Sequence, residues 1–155
     1  MSYSLRIEGG DLAIGNKRAF EVVSGKDKLF QDLKLWILER IGTDPATPLY
    51  GSTLDGGTIN GSPIPSYIGQ VPTPSTLNDI LAEVLGLLQQ YQQHQLAKMK
   101  KEMVEYNGKH TISKEEVLYT IDSVSAVAIE TTVLVRVKIS TLANRSFTLT
   151  LPLAV

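Results

Sequence analysis

The sequence predicts an α+β fold: a small, mostly antiparallel sheet with two main helices, a long Pro/Gly-rich arm and a C-terminal β-hairpin. Three observations carry this. Apolar residues recur at steps of three and four over 29–41 and again from 77 towards 106. They alternate at a period of two over 127–153. Between the helical stretches, residues 42–75 hold six of the seven prolines and six of the twelve glycines.

At the start, residues 4–8 alternate around Leu5 and Ile7, and residues 11–14 around Leu12 and Ile14. Gly9-Gly10 between them tolerates positive φ, so a hairpin is expected, with a third short strand at 18–23. The first helix follows from Leu29, Phe30, Leu33, Trp36, Ile37 and Ile41, with Gly42 and Pro45 as its stop. Its apolar face is expected to pack on the hairpin layer, with Trp36 in the core.

An ordinary loop runs about 4–6 residues, so the 42–75 stretch demands a function or disorder. Across 47–76 its one charged residue is Asp55. It keeps Leu49, Tyr50, Leu54, Ile59, Ile64, Tyr67, Ile68 and Val71, more anchors than a plain linker needs.

Ser75 or Thr76 is expected to cap the second helix, with Asp79 at capping-box spacing from Thr76. Asn107-Gly108 offers the stop after Tyr106. Leu81, Leu85, Leu88, Gln92, Leu96, Met99, Met103 and Tyr106 trace a weak coiled-coil seam. The distal half either leaves the core for solvent or packs on another chain. One strand is then expected at 117–122 and another along 127–140, with Val127, Ile129, Val133, Val135, Val137 and Ile139 on one face. "SFTLTLPL" returns as a hairpin partner with Phe147, Leu149, Leu151 and Leu153 on one face. As the last strand it is expected to be an edge, a template for another chain.

The 155 residues fit one domain, 1–155. With 15 basic and 16 acidic side chains the net charge is −1, which gives no nucleic-acid footprint. No run reaches the ~20 apolar residues of a membrane span. The start lacks a signal-peptide pattern, so a soluble chain, not exported by the usual route, is expected. The absence of cysteine removes disulfides, thiolate catalysis and cysteine–metal sites, and fits a reducing compartment.

No catalytic constellation, metal site or cofactor motif is expected. His94 has no histidine or acid three or four residues away, and His110 follows Gly108 in a polar turn. "DGGTINGSP" has neither a lysine nor the strand–helix context of a phosphate loop. Glu102, Glu105, Glu115 and Glu116 lie among lysines and read as a solvated face with Lys98–Glu102 and Lys101–Glu105 pairs.

"LFQDLKLWILERIGTDPATPLYGSTL" resembles the first helix and following loop of a small baseplate wedge protein of contractile phage tails, the lysozyme-like wedge or sheath-initiator family, with relatives in type VI secretion baseplates. The matching positions are Gly42, Pro48, Tyr50, Gly51, Ser52 and Leu54. The resemblance implies a structural role, joining baseplate to tube and sheath. The implied partners are other wedge proteins, sheath and tube or hub subunits, with several copies per particle. The implied location is the virion baseplate, and the host cytoplasm during assembly. Many members carry a Glu-Pro-Arg signature; no such tripeptide occurs here, so no assembly residue is carried over from it. Partner contact is expected at Tyr50, Ile64, Tyr67 and Ile68 on the arm, Leu96, Met99 and Met103 on the second helix, and Phe147, Leu149 and Leu151 on the last strand. The alternatives are a peptidoglycan hydrolase of lysozyme-like type and a soluble adaptor module.

Overall fold

A computed structural model describes residues 2–9, 11–15, 19–38, 62–105 and 112–154. The fold is α+β. Four two-residue strands come first: β1 (Ser4–Leu5), β2 (Ile7–Glu8), β3 (Asp11–Leu12) and β4 (Val22–Val23). Two helices follow, α1 (Gly25–Leu38) and α2 (Pro74–Glu105), with a 3-10 turn at Ile64–Tyr67 before the second. The C-terminal sheet is antiparallel, in the order β5 (Leu118–Ile129), β6 (Thr132–Thr141), β7 (Ser146–Ala154).

The expected N-terminal hairpin is present, and the third segment joins it. Ile7 pairs with Leu12, Leu5 with Val22, and Ile14 bridges Phe20. Three backbone bonds close a ring: Arg6 N–H to the Glu21 carbonyl (2.8 Å), Glu21 N–H to Ala13 (3.0 Å) and Ala13 N–H to Arg6 (2.9 Å). Each segment therefore bonds to both others, which removes strand edges from a very small unit. Its apolar side chains do not form the layer under α1. Leu5, Ile7, Leu12, Ile14, Phe20 and Val22 are all exposed. The reason is the composition of α1: Leu29, Leu33 and Ile37, one turn apart, face α2, Ile64 and the C-terminal sheet, which offer far more apolar surface. The ring is held to α1 by Gln31. Its Oε1 accepts from Ile7 N–H (2.8 Å) and its Nε2 donates to the Leu5 carbonyl (2.8 Å).

α2 begins before the expected caps. Thr73 is the cap: its Oγ1 accepts from Thr76 N–H (3.2 Å) and its carbonyl from Leu77 N–H (2.9 Å). Pro74 then occupies the first helical position, where a missing N–H costs nothing. The 32 residues span roughly 48 Å at the usual rise of ~1.5 Å. Ile80, Val84, Leu87, Leu88 and Tyr91 line the buried face, and the stripe continues through Gln95. Gln95 is 7% exposed. Its Oε1 accepts from Leu118 N–H (2.9 Å) and its Nε2 donates to the Glu116 carbonyl (2.8 Å). This repeats the Gln31 contact, carbonyl of one residue and N–H of the next but one, at the start of β5.

The run 127–140 is not one strand. A two-residue loop, Glu130–Thr131, folds it between the pair Ile129–Thr132. Val127 and Ile129 therefore belong to β5 and are exposed, while Val133, Val135, Val137 and Ile139 of β6 are buried. Glu130 has φ 53°, the left-handed position that a two-residue hairpin usually gives to glycine. The β6–β7 hairpin is the expected one. Asn144 (φ 58°) closes it, its N–H donating to the Thr141 carbonyl (2.8 Å), while Thr141 N–H donates to Arg145 (3.0 Å).

Glu130→Gly is expected to stabilise the chain by about 1 kcal/mol, because it removes the left-handed strain of a residue with Cβ. A higher midpoint in thermal unfolding checks it. Gln95→Ala is expected to cost on the order of 3 kcal/mol, since it orphans two buried main-chain groups. Gln31→Ala, whose main-chain partners reach water, is expected to cost under about 1 kcal/mol. Urea unfolding of the two variants side by side tests the contrast.

Candidate interaction site

The β6–β7 ladder fixes which groups β7 leaves open. Paired residues from Ser140–Ser146 to Thr132–Ala154 run without a register shift. Thr141 N–H bonds to Arg145, so that pair is a hydrogen-bonded one, and pairs then alternate along the ladder. Phe147, Leu149 and Leu151 fall at hydrogen-bonded positions, and their N–H and C=O groups face β6. Ser146, Thr148, Thr150 and Pro152 fall at the other positions, so their main-chain groups point outwards. Among the described residues β7 pairs with β6 alone. The edge expected from the sequence is there, but its contact groups are displaced by one residue. Leu149 and Leu151 are buried in the chain's own core, and Phe147 packs edge-on against Phe30 (5.6 Å) beneath Lys26 (5.8 Å). Leu149 and Leu151 are therefore not free for a partner, contrary to what the alternation alone suggested, while Phe147 is only half-buried.

β5, the opposite edge, differs. Its register shifts between Leu118 and Thr120 and again between Ile121 and Ser123. Its first residues are fastened to α2 by Gln95, and Gln92 donates to the Tyr119 carbonyl. Bulges and side-chain caps blunt an edge.

The arm residues separate. Tyr50 lies outside the described residues. Ile64, 2% exposed, is a core residue of this chain and is not available to a partner. It is pinned by its N–H to Ser62 Oγ (3.0 Å), and Ser62 is itself buried. Tyr67 packs beside the same core, its phenol pushed up by burial and by Asp79 and Glu83. Ile68 is exposed. On α2, Leu96 and Met103 are exposed and Met99 is half-buried.

The acidic cluster is not a solvated face throughout. Glu102 and Glu116 are buried. Glu115 is paired with Arg145 (3.3 Å). Glu116 accepts from Gly25 N–H (3.2 Å) at the start of α1, from Ser113 N–H (3.4 Å) and from the Ser2 hydroxyl and N–H. Burial works against its charge, but these donors and the helix N-terminus outweigh it and hold the carboxyl below its ordinary value. Gly25 sits at φ 60°, and a Cβ there would lie 3.1 Å from Glu115 Oε2, so the junction needs glycine. Charge clustering in the sequence hid Glu116; its neighbour Val117, entirely buried, is the local signal that the chain turns inwards there.

A cleft of about 290 Å³ lies between α1, α2 and residues 112–116, walled by Asp32, Trp36, Tyr91 and His94. Trp36 meets Tyr91 edge-on (5.5 Å), donates its indole N–H to the Leu87 carbonyl (3.0 Å) and lies nearly parallel to His94 (6.3 Å). Lys28 pairs with Asp32. Burial and then Asp32 raise the Tyr91 phenol well above its ordinary value, and Gln95 donates to its oxygen (3.2 Å). A phenol so held stays protonated, and a carboxylate held like Glu116 stays ionised, so neither is poised to exchange a proton near neutrality. No group of three or more His, Asp or Glu that could hold a metal occurs among the described residues. No helix among them is long and apolar enough to cross a membrane. Comparison with protein families, curated proteins and solved structures finds no match.

The folded carboxyl of Glu116 lies below its ordinary 4.5, so its contribution to stability is complete above that value and is lost as pH falls through the lower folded one. Glu116→Gln is therefore expected to be clearly less stable than the parent at neutral pH. The gap is expected to narrow as the pH falls below 4.5 and through the lower folded value, measured by urea unfolding at each pH.

Proposed function

We propose that this chain is a structural subunit that works by assembly: a wedge component of a contractile-tail baseplate, joining baseplate to tube and sheath and helping sheath growth begin by strand addition. The observation that carries the reading is the outer edge of β7. It carries no register shift, and offers the outward main-chain groups of Ser146, Thr148 and Thr150. Such an edge accepts a strand from a neighbour, with the main chain providing the bonds and alternate side chains the register. The exposed Leu85, Leu96 and Met103 lie along one side of α2, the side on which a second subunit would pack. The resemblance of residues 29–54 to wedge proteins supplies the identity of the machine. Other wedge proteins, sheath and tube or hub subunits are the proposed partners, in several copies per virion.

Thr150→Pro provides a sharp test. Residue 150 directs its N–H away from β6, so proline there leaves the β6–β7 ladder intact and removes a donor from the open edge alone. The variant is expected to unfold within a few degrees of the parent yet fail to enter particles, measured by quantitative mass spectrometry of purified virions. A variant incorporated at parental stoichiometry would remove the edge from the mechanism. Absence of the parent chain from intact particles would remove the proposal.

A further inference from the structure

We infer that the β7 edge is built for a short acidic-apolar strand, an extended segment alternating apolar residues with Asp or Glu, and that Pro152 sets where it stops. The inference rests on the strand-addition reading and specifies its partner. Three features of the edge point to it.

The first is length. Outward N–H groups occur at Ser146, Thr148 and Thr150, and the next outward position is Pro152, which has none. Its ring also occupies the space into which an added strand's carbonyl would reach. At the other end the chain turns at Asn144 and Arg145. The usable edge therefore runs from Ser146 to Leu151.

The second is the covered face. Phe147, Leu149 and Leu151 stand on it, continuous with the core under α1, and Phe147 is only half-buried against Phe30 and Lys26. A strand laid beside β7 extends this face, so its residues on that side must be apolar.

The third is charge on the opposite face. Thr148 is paired with Lys138 and Thr150 with Arg136. Both cations are exposed, and neither makes an ion pair within 4 Å among the described residues. Asp122, held by Ser140 and Thr120 on the β5 side, feels the charge of Lys138 from beyond that distance. Two small threonines separate the cations from the open edge. Strands lie ~4.8 Å apart, so a long Lys or Arg side chain reaches across one threonine to the next strand. Acidic residues on the solvent face of the added strand would meet them, and lysines there would be repelled.

The test uses the full chain and two end-blocked probe peptides, Val-Glu-Val-Glu-Val-Glu-Val and Val-Lys-Val-Lys-Val-Lys-Val, titrated at low salt and followed by amide chemical shifts. The glutamate peptide is expected to bind about tenfold more tightly than the lysine one, and the preference is expected to fade at high salt. Shift changes should run along 146–151 and end before Pro152, and Thr150→Pro should abolish them. The double variant Arg136→Ala, Lys138→Ala should bind both peptides alike. Equal binding of the two peptides by the parent chain, or shifts that continue past Pro152, would overturn the inference while leaving strand addition standing. No binding of either peptide, with Thr150→Pro unchanged from the parent in particle assembly, would overturn both.

Discussion

The fold depends on a buried amide. Two parts of the chain that share no regular secondary structure, the middle of α2 and the entry to β5, are joined through Gln95. A glutamine side chain presents an N–H and a carbonyl oxygen side by side in one plane, spaced like those of a peptide group, with a second N–H that here reaches Tyr91. It can therefore stand in for a neighbouring strand, giving to one carbonyl and taking from the N–H two residues on. In a site only 7% exposed, the alternative is a pair of unsatisfied main-chain groups, so the contact selects one register between helix and sheet. Gln31 uses the same geometry to hold the N-terminal ring, at a place where water could substitute. The same contact thus fixes the sheet in one case and positions an accessory unit in the other.

Fixing the entry to β5 distinguishes the two sheet edges. With β5 drawn against α2 by Gln95 and Gln92, and with two register shifts behind it, that side of the sheet is poorly shaped for another strand. β6 then lies in the centre, with Val133, Val135, Val137 and Ile139 wholly buried. β7 follows it in register as far as Ala154 and, among the described residues, has no strand on its other side. Glu116 reinforces the arrangement from the other side, since one carboxylate collects donors from residue 2, from the start of α1 and from the turn before β5. Three segments far apart in the sequence thus meet at a single charge.

Much of this was legible in the sequence, and the parts that were not have identifiable reasons. Both helices were visible because Leu29, Leu33 and Ile37, or Ile80, Val84 and Leu88, repeat at one helical turn whatever surrounds them. The turn at Glu130–Thr131 was hidden because it lacks glycine and asparagine, so two strands read as one unbroken alternation. The start of α2 was misplaced by three residues because Thr73-Pro74 and Ser75-Thr76 both carry hydroxyls suited to a cap, and only the helix itself distinguishes them. Ile64 was grouped with partner-facing anchors because proline-rich surroundings suggested an arm throughout, whereas the 3-10 turn returns it to the core. The β7 edge was foreseen, but alternation reports where side chains point and is silent on which main-chain groups are already used. That second parity comes only from the hydrogen bond between Thr141 and Arg145.

The exposed side of α2 and the outer edge of β7 lie towards opposite edges of the three-stranded sheet. On a period of 3.6, Leu81, Leu85, Gln92, Leu96, Met99 and Met103 follow one side of α2. There Leu81 and Leu85 flank Ile121 and Val124 of β5. The β7 edge is two strands away, roughly 10 Å across the sheet, next to α1. In the proposed assembly one surface would bind through side-chain packing, which tolerates small adjustments in angle, and the other through main-chain bonds, which do not. A subunit that met one neighbour loosely and dictated strand direction to another, as proposed, would have the properties of a joint from which an ordered array can start. The central strand β6 lies between them, placed there by the hairpins that join it to β5 and β7, and the amide of Gln95 fixes how that sheet sits on α2.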